Sequence, residues 1–84
     1  MTVLSTCICV WDPKSDELLF EGSSATVGLE DVRSVIGSDA FPEDPDLVTA
    51  HPITREQGIK LIGMMGLRFE GDGEIQISRE LIDA

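Results

Sequence analysis

Eighty-four residues make one domain spanning 1–84, because compact domains cluster near ~100–150 residues and so short a chain holds a single core. With 42% hydrophobic residues, 26% charged ones and no low-complexity run, the composition is globular and excludes extended disorder. Sixteen acidic residues against six basic ones leave −10, which excludes nucleic acid and anionic lipid as natural partners, since phosphate binding takes clustered Lys and Arg. A basic protein is the natural complement. Size scaling predicts that about 63% of the extended chain's surface is buried on folding, a core with little spare stability.

The run Thr2 to Trp11 is rich in β-branched residues and apolar on both faces, with Val3, Cys7, Cys9 and Trp11 on one and Leu4, Ile8 and Val10 on the other. It reads as a central strand. Asp12-Pro13-Lys14-Ser15-Asp16 supplies turn chemistry, and Glu17 to Glu21 returns as the second arm of a hairpin. Thr26 is the candidate N-cap of a helix carrying Glu30 and Asp31 in its first turn, the stripe Leu29, Val32, Val35 and Ile36, and Gly37 as terminator. From Ser38 to Asp46 two prolines and four acids resist helix and central strand alike, so the segment reads as an exposed acidic loop.

Leu47 to Ala50 reads as a short edge strand, and Thr54-x-x-Gln57 is a capping box that starts a second helix with Ile59, Leu61, Ile62 and Met65 inward and Gly66 at its end. Gly58 and Gly63 inside that helix each cost about 1 kcal/mol against Ala and point to close approach of another element. Leu67 and Phe69, the turn Asp72-Gly73, then Ile75 and Ile77 read as a second hairpin. Arg79 to Asp83 reads as a frayed helical turn or a tail. The fold class expected is α+β: an antiparallel sheet of two β-hairpins with two amphipathic helices packed on one face.

No charged segment followed by an apolar stretch opens the chain, and no apolar run approaches the ~18 residues that cross a bilayer, which predicts a cytoplasmic protein. Cys7 and Cys9 are expected reduced and packed as small hydrophobes, not as metal ligands with His51, so no metal and no cofactor is expected. His51, the one histidine, is followed by Pro52 and reads as a loop residue leading into a helix instead of a general base. No GxSxG, HExxH, Walker or dinucleotide pattern is present, and Gly71-Asp72-Gly73 lacks the spacing of an EF-hand loop. The chain therefore reads as a non-enzyme. A pocket holding His51 beside an ionised carboxylate would bring catalysis back.

Charge is segregated along the chain. Asp39, Glu43, Asp44 and Asp46 put −4 into eight positions, and Glu70 to Ala84 carries five acids, Glu70, Asp72 and Glu74 among them, against Arg79. Between these, Leu47 to Phe69 holds Arg55, Lys60 and Arg68 against Glu56. The expected partner-binding residues are Asp39, Glu43, Asp44, Asp46, Glu70, Asp72 and Glu74, because a carboxylate patch steers toward a basic surface.

Val10-Trp11-Asp12, the Ser15-Asp16-Glu17 turn, the short helix, Pro42-Glu43-Asp44-Pro45 and His51-Pro52-Ile53-Thr54-Arg55-Glu56-Gln57 together resemble a group of small acidic bacterial proteins of uncharacterised domain type. These are similar to the immunity proteins encoded beside polymorphic or contact-dependent growth inhibition toxins, and the likeness covers roughly residues 3 to 70. The resemblance implies an inhibitor that occupies a cognate toxin domain, often a nuclease, and catalyses nothing; the free chain is expected to be a monomer. Its binding residues differ from pair to pair, so none is carried over. The competing reading is a phage-type inhibitor that mimics nucleic acid, such as an anti-CRISPR protein, for which the same acidity would serve.

Overall fold

A computed structural model describes residues 1–83 and shows an α+β fold, a four-stranded antiparallel sheet with two helices. The strands are β1 (Thr2–Trp11), β2 (Leu18–Ser24), β3 (His51–Ile53) and β4 (Glu74–Asp83), and the helices α1 (Leu29–Ile36) and α2 (Arg55–Met64). The strands lie in the order β2-β1-β4-β3, which makes β1 central, as its two apolar faces require. The first hairpin closes where Asp12 N–H donates to Glu17 C=O at 2.8 Å and the Asp12 carboxylate takes Lys14 N–H at 2.9 Å. Val10 pairs with Phe20 but Trp11 with Leu18, so a bulge at this point adds an extra residue, Leu19, to β2.

Helix α1 starts two residues later than Thr26 would place it. Val27 is 3% exposed and its carbonyl accepts the Thr6 hydroxyl at 2.6 Å, so the chain stays extended to Gly28, whose N–H the Asp31 carboxylate caps at 2.9 Å. Thr26 spends its hydroxyl on Ser24 instead. Gly37 at φ +99° ends the helix. In α2 the expected box forms: the Thr54 hydroxyl accepts from Gln57 N–H at 3.1 Å and the Gln57 side chain from Thr54 N–H at 3.0 Å. This helix ends at Met64, and Gly66 at φ +75° turns the chain away.

Three expected elements are different in the structure. Leu47 to Ala50 is not a strand, because Leu47 takes φ +55° to send its side chain into the core; the edge strand is the next three residues. Leu67 to Phe69 is not an arm of a second hairpin. Phe69 instead packs on Phe20 at 5.3 Å between ring centres and Leu67 lies over Gly22, closing the core beside β2. Arg79 to Asp83 is neither a helical turn nor a tail but the second half of β4, paired with β1 as far as Thr2 opposite Asp83. The register supplies the reason: β2 ends opposite Thr6, so Thr2 to Ser5 would have no partner unless β4 continued.

Side chains alternate across the sheet. Ile8, Val10, Ile75 and Ile77 face the helices and pack with Val27, Val32, Leu47, Leu61 and Ile62. Cys7 and Cys9 lie on the opposite face, both free, Cys7 buried and Cys9 half-buried, so neither belongs to the cluster under the helices. No helix among the described residues is long and apolar enough to cross a membrane.

The two helical glycines of α2 differ, and their alanine variants will separate them. A Cβ on Gly58 would lie 2.6 Å from Ile75 Cδ1 and 2.7 Å from its Cγ2, against nothing within 4 Å at Gly63. Overpacking of about 1–3 kcal/mol exceeds the ~1 kcal/mol helix-propensity gain, so Gly58→Ala destabilises. Gly63→Ala stabilises by about 0.5–1 kcal/mol. Urea unfolding of both variants checks the opposite signs.

Candidate functional site

The acidic loop between α1 and β3 is built around one carboxylate. Asp44 accepts Val48 N–H at 3.0 Å, Thr49 N–H at 2.9 Å and the Thr49 hydroxyl at 2.8 Å, and meets His51 Nε2 at 2.7 Å. These donors, the Thr49 amide first and His51 next, hold the Asp44 carboxyl far below the usual carboxylate range. Phe41, at φ +53°, stacks on the His51 ring with centres 4.3 Å apart and planes at 21°. Leu47 anchors the far side in the core, its carbonyl taking Arg79 N–H at 2.7 Å, and Arg33 holds the Pro45 carbonyl at 3.2 Å. Two bulky residues in the left-handed region cost about 1–2 kcal/mol each, which the burial of Leu47 offsets.

The loop backbone is thus tied at several points, and the roles of its four acids divide. Asp44 is consumed in holding it. Asp39, Glu43 and Asp46 are exposed and make no ion pair among the described residues. The second acidic group sits elsewhere. Glu70 pairs with Arg68 at 2.7 Å and Asp72 with Arg55 at 3.3 Å, while Arg55 also donates to the Gly71 carbonyl. Glu74 opens β4 opposite Trp11. The loop meets β4 at Arg79, five positions on from Glu74, and through His51 at Ile77.

His51 does stand beside an ionised carboxylate, but the geometry is that of a strut. Asp44 and the Thr49 hydroxyl, at 3.2 Å, both address the same nitrogen, Nε2, whereas a base needs its orienting acid on one nitrogen and the reacting group on the other. His51 lines neither principal groove of the surface.

The larger groove, about 800 Å³, runs between α2 and the segment after it, with Ile59, Ile62, Leu67 and Phe69 as floor and Arg55 and Arg68 at the rim. Both arginines are already paired, which leaves the rim no free cation to direct an anionic ligand. No group of three or more His, Cys, Asp or Glu among the described residues is arranged to hold a metal ion.

Sequence reasoning missed that Asp44, Thr49 and His51 form one hydrogen-bonded knot, since its partners are joined only by the turn at Leu47. Breaking it has a pH signature. The Asp44 carboxyl titrates below the ~3.9 of an unfolded aspartate, so its stabilisation is complete above that value and is lost as pH falls through the folded one. Asp44→Asn will therefore be less stable than wild type at pH 7, and the two will converge in acid, as urea midpoints measured across the range will show.

No protein-family model, no curated protein and no solved structure matches this chain.

Proposed function

We propose that the chain is an inhibitory binding protein of the immunity type, which neutralises a basic toxin domain by covering its phosphate-binding surface. The observation that carries this reading is the division of labour in the loop: Asp44 holds the backbone, and Asp39, Glu43 and Asp46 stand exposed without cations of their own. Carboxylates on a preorganised support lose little entropy on binding, and their field accelerates encounter with a basic groove. A nuclease domain carries such a groove, because it must hold phosphates with Lys and Arg.

Immunity genes lie beside the genes of the toxins they neutralise, so the test is co-expression with the protein encoded by the adjacent gene. A stable complex that abolishes that protein's toxicity supports the proposal. A neighbour that neither binds nor poisons the cell in the absence of this chain overturns it.

A further inference from the structure

Gly58 and Gly63 share a helix, and the fold accounts for only one of them. A side chain at Gly58 would strike Ile75, so that glycine is what lets α2 close on β4. At Gly63, exposed in the lining of the groove between α2 and the segment after it, nothing among the described residues lies within 4 Å of where a Cβ would be. Glycine inside a helix is unfavourable against alanine, and here no close approach within the fold offsets that loss. One turn earlier on the same stripe stands Ile59, 36% exposed, and across the groove Leu67 is 42% exposed. The groove thus sets a bulky apolar side chain beside an empty notch.

The charge around the groove selects its occupant. Between Arg55 and Phe69, which supply most of the lining, three cations stand against the single carboxylate of Glu56, in a chain of net charge −10. Asp72 and Glu70 pair with Arg55 and Arg68 and bring the rim close to neutral. A basic partner finds no complement on such a wall. Two copies of this chain repel wherever their acidic loops face each other, but here they meet without setting carboxylate runs in opposition.

We propose that the groove is a self-association surface, in which α2 of a second copy lies antiparallel across α2 of the first about a twofold axis. Residues 59 and 63 are one turn apart, roughly 6 Å along the helix. An antiparallel pair that sets Ile59 over Gly63 of the other copy therefore sets Gly63 under Ile59 of the other copy in the same step, as an isologous interface requires. Each isoleucine fills the other's notch, and the missing Cβ lets the two axes reach the roughly 8–10 Å of packed helices. The same register brings Glu56, exposed and without an ion pair among the described residues, level with Gly66 of the other copy and toward its Arg68. One helix face and its flank make a small interface, below the ~1,200–2,000 Å² of stable complexes, so the dimer is weak and the dilute chain is the monomer expected from its sequence. This inference does not depend on the reading of the acidic loop.

Sedimentation equilibrium of the whole chain, from micromolar to millimolar concentration, is the test. Wild type should pass from monomer to dimer, and more readily at about 0.15 M salt than at about 0.01 M, because screening weakens the repulsion between two chains of −10 and leaves the apolar joint unaffected. Ile59→Gln and Gly63→Gln, both at exposed positions, should each weaken dimerisation by at least about tenfold, and thermal melts of the dilute variants confirm that they fold. Gly63→Ala is the variant that a folding defect cannot imitate, since its fold gains stability while its association falls. A wild-type chain that stays monomeric throughout overturns the proposal and leaves the groove to some other occupant. A dimer that survives both glutamine variants overturns it as well, because the joint then lies elsewhere. Neither result touches the inhibitor reading, which stands or falls on the complex with the adjacent gene's product.

Discussion

Ile77→Ala will lower stability by about 2–5 kcal/mol, which for a domain of this size is a fall in Tm of roughly 10–30 °C. Ile77 is 0% exposed and sits in the middle of β4, opposite Ile8 on one side and His51 on the other, so its side chain joins the central strand to the edge that carries the loop. Truncation leaves a cavity between two strands that helices hold in place, and the site cannot collapse to fill it. Ile77→Val, which keeps the β-branch and one fewer methylene, should cost only about 0.5–1.5 kcal/mol. Calorimetry of the two variants measures both. A loss below about 1 kcal/mol for the alanine variant would mean that the loops and not this cluster hold the fold together.

The second large effect concerns rate. Lysines in place of Asp39, Glu43 and Asp46 should slow association with the basic partner by about 10–100-fold at low salt, because steering scales with the charge facing the partner across solvent. Stability should hardly move, since the three are exposed and unpaired and surface changes of this kind stay within about 0.5 kcal/mol each. Asp44 is left out of that variant for a structural reason. Its carboxylate holds the Val48 and Thr49 amides and His51, so reversing it would confuse loss of the loop with loss of charge. Stopped-flow binding beside a thermal melt separates the two quantities.

Local chemistry made much of this legible. The Asp12 turn, the Thr54 box and Gly37 are signals that act within a few residues, and each operates where the sequence places it. Long-range choices were hidden. Leu67 and Phe69 alternate like a strand, yet the aromatic partner that claims Phe69 is Phe20, far away in the chain. The last residues look like a tail until one knows that Thr2 to Ser5 need a partner. The acidic loop was visible as composition, but not its internal division, because a left-handed Leu47 is what brings Asp44 to Thr49 and His51.

The central claim is that exposed carboxylates draw a basic partner in, and its most direct measurement is the association rate with the adjacent gene's product over a salt series. The Debye length contracts from ~30 Å at 0.01 M to ~8 Å at 0.15 M, which removes steering across solvent but screens desolvated charge pairs far less. The account predicts an association rate that falls steeply with salt and a dissociation rate that changes little. An association rate flat across the series would contradict it and would make the −10 charge a matter of solubility.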